Sequence, residues 1–211
     1  MMNRLITLLL ACALTLVMLA GCEEIVEQKQ TPLDIKLGVI GPFSGEHEEW
    51  GKSGLLGVQA VIKYHQTQNQ KLQVQLIKED DQSTPAQALV ALEKLAVEEN
   101  VDAVLILSGS KTMLAITEVA DRYRVPIVST LSSHPGITET NWVNQIIFDD
   151  QVQGTVAALF VMDELLIDRS AVVWDGDDPH SKELAASFKR TYQEAGGTVL
   201  SIDISGRKDD T

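Results

Sequence analysis

Ala103-Val104-Leu105-Ile106-Leu107 is the stretch that most restricts the fold. Five apolar residues without a polar interruption suit a strand covered on both faces, the situation of a central strand in a parallel sheet. A parallel partner needs a crossover, and the crossover is ordinarily a helix. The following residues supply one: Ser108-Gly109-Ser110 leads into a helical pattern reaching about Arg124, and Pro126-Ile127-Val128-Ser129-Thr130 reads as the next strand.

The same unit recurs along the chain. Ile35 to Ile40 is an apolar strand, Gly41 to Trp50 a loop, and a helix follows from about Lys52 to Gln66, with Leu55, Val58, Ile62 and Leu56, Ala60 at helical spacing. Leu72 to Ile77 alternates like a half-buried strand. Thr84 suits an N-cap with Pro85 at the first helical position, and Ala88, Ala91, Leu92, Leu95 and Ala96 mark one face of a helix ending near Asn100. A loop from Leu131 to Thr140 precedes a strand at Asn144 to Phe148, and Asp149-Asp150 caps a helix from about Gln151 to Leu166. Ala171 to Trp174 reads as a strand, Ser181 to Ala195 as a helix stopped by Gly196-Gly197, and Val199 to Ile204 as a final strand. Strands alternating with helices over short connections predict an α/β fold with a doubly wound parallel sheet. Ligands of such sheets sit beyond the carboxyl ends of the strands, which directs attention to the loop ending at Trp50. A sheet made only from about 170–204 would have two strands and bare edges, so the chain is expected to be cut short, with an incomplete second unit.

The amino terminus reads differently. Arg4, an apolar run from Leu5 to Leu19 and the ending Leu19-Ala20-Gly21-Cys22 have the layout of a secretory signal peptide. The ending resembles the lipobox of bacterial lipoproteins, which implies lipid on Cys22 and removal of residues 1–21; a membrane span is the competing reading. Glu23 to Asp34 is polar and aperiodic, a tether within 22–34. Of the two cysteines, Cys12 leaves with the leader, so an exported domain would have no pair to oxidise. The formal net charge of −13 over 211 residues disfavours a nucleic-acid partner, which would want a basic face.

Three further chemistries find partial motifs in the chain. Gly51-Lys52-Ser53 opens a helix after a strand, but Gly45 leaves five intervening residues where a phosphate loop has four. Ser, His and Asp are present without a Gly-x-Ser-x-Gly elbow; a hydrolase using Ser110 or Ser133 is the third choice of function. His47 with Glu46, Glu48 and Glu49 lacks a metal-ligand spacing, and no cofactor is called for.

Taken in order, the stretches Ile35 to Gly51, Asp80-Asp81-Gln82 leading to Pro85, Ser110 to Ala115, Pro126 to Thr138, Asp150-x-x-Gln153-Gly154 and His180 to Ala185 resemble the Leu/Ile/Val-binding branch of periplasmic substrate-binding proteins. The resemblance implies the first lobe (35–148) of a two-lobed fold and the opening of a second (149–211), hinged near 148–151. It implies a Trp50 side chain over the ligand, a serine hydroxyl from Ser110 (the match falling within one residue, toward Gly109), a backbone group and a hydroxyl from Leu131 and Ser133, and a crossing at Asp150, Gln153 and Gly154. His180-Ser181 stands where the family usually has Tyr-Gly, making His180 the lobe-two candidate. The implied function is a non-enzymatic, lipid-anchored receptor for an amino-acid-like or carboxylate ligand, delivering it to an ABC permease outside the cytoplasm. A ligand-sensing lipoprotein of the same fold is the alternative.

Overall fold

The computed structural model describes residues 33–68 and 71–206. The leader, Cys22, nearly all of the tether and residues 207–211 lie outside them, so the lipidation and tether expectations fall there too.

Among the described residues, five parallel strands form one sheet: β1 (Leu33–Gly41), β2 (Leu72–Asp80), β3 (Ala103–Ile106), β4 (Ile127–Ser129) and β5 (Val143–Gln145), in the order β2-β1-β3-β4-β5. The helices between them are α1 (Glu48–Gln68), α2 (Pro85–Glu93, prolonged by a π-helical turn at Lys94–Glu98) and α3 (Ser110–Tyr123). Thr84 caps α2 as its sequence context requires, its hydroxyl accepting from Gln87 N at 3.3 Å, with Pro85 at the first position.

The larger part of the core lies on one face, with Val39 buried on the other. Ile40, Val104, Ile106 and Ile127 from the strands meet Leu92 and Leu95 of α2 and its extension and Met113 and Ile116 of α3, all fully buried. The expectation that β3 is covered on both faces needs correcting: Val104 and Ile106 are buried, whereas Ala103 and Leu105 are only half-buried. α1 meets that side at Gly54, where a Cβ would lie 3.0 Å from Leu107 Cδ1. Its stripe is also narrower than predicted, with Leu55, Val58 and Ile62 half-buried but Leu56 and Ala60 exposed.

Two boundaries move for physical reasons. α1 starts at Glu48 rather than Lys52, because Glu48 and Glu49 in its first turn complement the helix dipole and Glu48 pairs with Lys52 at 3.0 Å. Trp50 therefore sits on a helix, and Gly51-Lys52-Ser53 is helix interior rather than a phosphate loop. β5 covers 143–145 instead of 144–148, since its one neighbour, β4, ends at Ser129; Ile146 and Phe148 are left exposed.

The chain then enters α4 (Asp150–Leu159, with a π-helical turn at Phe160–Glu164), β6 (Arg169–Trp174), α5 (Pro179–Glu194) and β7 (Thr198–Asp203). β6 and β7 pair in parallel as a separate two-stranded sheet. Asp149 is the N-cap of α4, accepting from Val152 N at 2.8 Å, and Asp150 falls in the first turn. α4 presses closely on α5: a Cβ on Gly154 would lie 2.7 Å from Leu184 O and 2.8 Å from Phe188 N, which is why the crossing needs glycine there.

Candidate ligand cavity at the strand ends

A cavity of about 540 Å³ opens where β1, β3, β4 and β6 finish. Trp50, Gly109, Ser110, Leu131, Ser133 and His180, the six residues singled out from sequence, all line it. Their supports differ, and each can be traced to its element.

The turn after β1 is pinned by Asp80, the last residue of β2. Its Oδ1 accepts from the backbone N–H groups of Phe43 (2.9 Å), Ser44 (3.2 Å) and Gln82 (2.9 Å), while Oδ2 accepts from Ser44 Oγ at 2.6 Å. Burial pushes the Asp80 carboxyl up, but the hydrogen bonds from Ser44, Gln82 and Phe43 outweigh it and hold it below its ordinary value. Ser83 Oγ accepts from His47 N at 3.0 Å and fixes the start of α1. The first turn of α1 is pushed onto the turn itself, because a Cβ on Gly51 would stand 2.3 Å from Pro42 O. Trp50 is thereby set at the cavity rim, stacked on His47 with ring centroids 4.1 Å apart and 4° between planes. The indole also reaches Gly109, where a Cβ would be 3.8 Å from Cζ3.

Gly109 is the N-cap of α3 and has no side chain to offer, so the N–H groups of the first turn keep no cap. Uncapped N–H groups and the helix dipole favour an anion at this point. Ser110, buried at the first position, has no side-chain partner among the described residues, and Lys111 beside it forms no ion pair there. Below them, Ser108 donates to the buried Asp81, whose Oδ1 accepts from Ser83 N at 2.9 Å. Burial raises the Asp81 carboxyl despite these two hydrogen bonds. Ser132 Oγ donates to Ser108 O at 2.8 Å, which ties the β4 turn carrying Leu131 and Ser133 to the β3 turn.

The remaining wall comes from the end of β6 and the start of α5. Asp175, Asp177 and Asp178 face the cavity, yet each already serves the backbone: Asp175 accepts from Asp177 N (2.9 Å), Asp177 from Gly206 N (2.9 Å), and Asp178 caps α5 through Ser181 N (3.0 Å). His180 is half-exposed in the first turn of α5. Its Nδ1 lies 2.7 Å from Oδ1 of the fully buried Asp150 and 3.0 Å from Ser133 Oγ. The Asp150 hydrogen bond raises the imidazole above its ordinary 6.5, against desolvation, with Asp178 adding to the rise. Serine and carboxylate meet the same ring nitrogen, whereas a nucleophilic relay needs them on opposite nitrogens. The arrangement orients a histidine; it does not activate a serine.

Of the crossing residues, Gln153 donates to Phe148 O at 2.6 Å and Gly154 packs α4 on α5, so neither meets the cavity; Asp150 acts through His180. Sequence reasoning passed over Asp81, Lys111 and the three acids at 175–178. Lys111 was within reach, being two residues after a glycine N-cap, in the first turn of a helix. The acids carried the signal of N-cap and turn chemistry, not of a site. Among the described residues no grouping of three His, Cys, Asp or Glu side chains could hold a metal ion.

Comparison with known proteins gives a consistent picture. Residues 34–210 match the family described as periplasmic binding protein. A Leu/Ile/Val-binding protein homolog 6 of Brucella abortus is 27% identical over 168 residues, covering 79% of this chain and 43% of the relative. The crystal structure of a leucine binding protein, LivK, from Thermotoga maritima superposes with a TM-score of 0.73 at 26% identity, covering 83% of this chain and 50% of that one. A solute binding protein of an ABC transporter from Rhodopseudomonas palustris, solved with p-hydroxybenzoic acid, gives a TM-score of 0.70 at 25% identity, over 81% and 46% of the two chains. The chain spans about half the length of these relatives.

Proposed function

We propose a solute-binding role from a plain premise: the chain belongs to the periplasmic binding protein family, in its Leu/Ile/Val-binding-protein-like branch. That family and the structural neighbours are binding proteins, not enzymes. The ligand is a small carboxylate-bearing molecule held at the ends of the strands. The observation that carries this reading is the uncapped N-terminus of α3, with Ser110 and Lys111 beside it and the Trp50 ring next to Gly109. Amide and hydroxyl donors take the carboxylate, and the indole face covers the ligand body. Binding closes two lobes, 35–148 and 149–211, about a hinge near 148–151. The protein is exported and held to the envelope by lipid on Cys22, and an ABC permease takes up the ligand.

Calorimetric titration of the protein with a panel of amino acids and small carboxylates tests the first step. At least one member binds with a micromolar Kd, and Ser110→Ala together with Trp50→Ala weakens it by more than tenfold. A panel without a single binder removes the solute-binding reading.

A further inference from the structure

His47 has no metal-ligand spacing in the sequence, and in the structure its ring meets an indole instead. It lies directly ahead of α1 and lines the cavity, three residues before Trp50. Its backbone is fixed on both sides: N donates to Ser83 Oγ at 3.0 Å, and its carbonyl accepts from Trp50 N, also at 3.0 Å. Residues three apart on a helical turn share a face. The two rings use that spacing to lie flat on each other, with 4° between planes and 4.1 Å between centroids. The loop beneath them is locked as well. A Cβ on Gly45, at a φ of +88°, would stand 2.9 Å from Gln82 O, which seats the turn against the residues after β2. Trp50 is 49% exposed, and no other ring among the described residues stacks on it, so the face turned from His47 is uncommitted.

We propose that His47 positions the ligand cover: its imidazole occupies one face of the Trp50 indole, holds that ring at the cavity rim and leaves the other face to the apolar body of the solute. The inference rests on the solute-binding reading above and adds to it a residue that acts through Trp50. A half-exposed indole gives up rotamer freedom when a solute fixes it, and a ring already seated on one face meets that cost before binding. Imidazole suits the place, being flat enough to cover the indole and half-buried with a polar edge that water can reach. An aliphatic side chain would leave Trp50 free to swing, and binding would weaken with no solute contact removed. Because His47 itself lines the cavity, a direct solute contact is the rival account.

The test begins without a solute. In protein labelled with 5-fluorotryptophan, the fluorine resonance lost in Trp50→Phe is that of Trp50. His47→Ala shifts it toward the position of free 5-fluorotryptophan, and His47→Phe, which keeps a ring on the indole, does not. Calorimetry of the intact chain with L-leucine and with 4-hydroxybenzoate supplies the second arm. His47→Ala weakens whichever binds by about two- to tenfold, the worth of one stacked aromatic pair, and His47→Phe restores it to within about twofold. In a Trp50→Ala background the further change His47→Ala costs less than about twofold. A Trp50 resonance unmoved by His47→Ala overturns the proposal. So does an affinity loss that His47→Phe does not rescue or that persists in the Trp50→Ala background; each of these leaves solute binding intact. Binding by neither probe nor by the wider panel removes the solute-binding reading and the cover with it, the fluorine shift then speaking only to the stack.

Discussion

Behind Ser110 and Trp50 stand five hydrogen-bonded strands and a core in which Leu92, Leu95, Ile106 and Ile116 are fully buried. Behind His180 stand two strands, β6 and β7, none of whose residues is fully buried; Val173 and Leu200 are 60% and 63% exposed. Both regions are built from the same βα unit, and both end at the same cavity. The difference shows that a strand–helix unit delivers a side chain to a sheet end without burying much itself. What the thicker sheet adds is precision: turns locked by Asp80, Asp81 and Ser132 hold the α3 donors in place. The thinner region relies on α4 and α5 packing together, on Tyr192 donating to Ile167 O at 2.6 Å, and on the Asp150–His180 pair.

Truncating one side chain in each region measures the contrast directly. Leu92→Ala lowers stability by about 2–5 kcal/mol, the range for a large-to-small change in a closed core. Val173→Ala stays within about 0.5 kcal/mol, because its side chain is already largely in water. Urea denaturation of the two variants reads both values, and a loss of equal size at the two positions would show the two regions to be equally packed. Gly154→Ala comes next, at about 1–3 kcal/mol, since its Cβ meets backbone atoms of α5 that have no rotamer to yield. A neutral Gly154→Ala would mean that α4 and α5 separate freely, and that the thin region is held by its sheet alone.

Much of this contrast was legible in the sequence, though unevenly. Thr84-Pro85, Asp149 and Gly196 have local meanings as caps and a left-handed stop, and the structure uses each that way, with φ of +93° at Gly196. The five-residue apolar run named the central strand but overstated its cover, because composition does not say how many helices lie on a face. The six candidate residues meet at one cavity since parallel strands bring their carboxyl ends to one side, a consequence of topology available before any coordinates. The Asp150–His180–Ser133 contact could not be read. It joins positions 47 and 30 residues apart, on three different elements, and depends on ring orientation that no periodicity encodes.

The two regions also respond to pH in opposite directions. His180 is raised in the folded protein, so its pairing with Asp150 contributes fully below pH 6.5 and fades as pH rises through the folded value. Asp150→Asn removes that dependence: an NMR titration of His180 moves to lower pH, and the fall in stability across the neutral-to-alkaline side flattens. An unmoved titration would mean that Asp150 does not hold the ring. Asp80 is lowered in the folded protein, so its four hydrogen bonds contribute above the ordinary 3.8 and are lost as pH falls through the folded value. Asp80→Asn costs about 1 kcal/mol at pH 7 and progressively less as pH falls from the ordinary 3.8 through the folded value. This effect is a local one, confined to the turn that carries Trp50. Its ligand-site consequence is separable by fluorescence: Asp80→Asn shifts Trp50 emission at pH 7, read against a Trp50→Phe blank, whereas Asp150→Asn leaves it unchanged. If both variants moved the Trp50 signal alike, the walls would be one mechanical unit and the contrast between them would vanish.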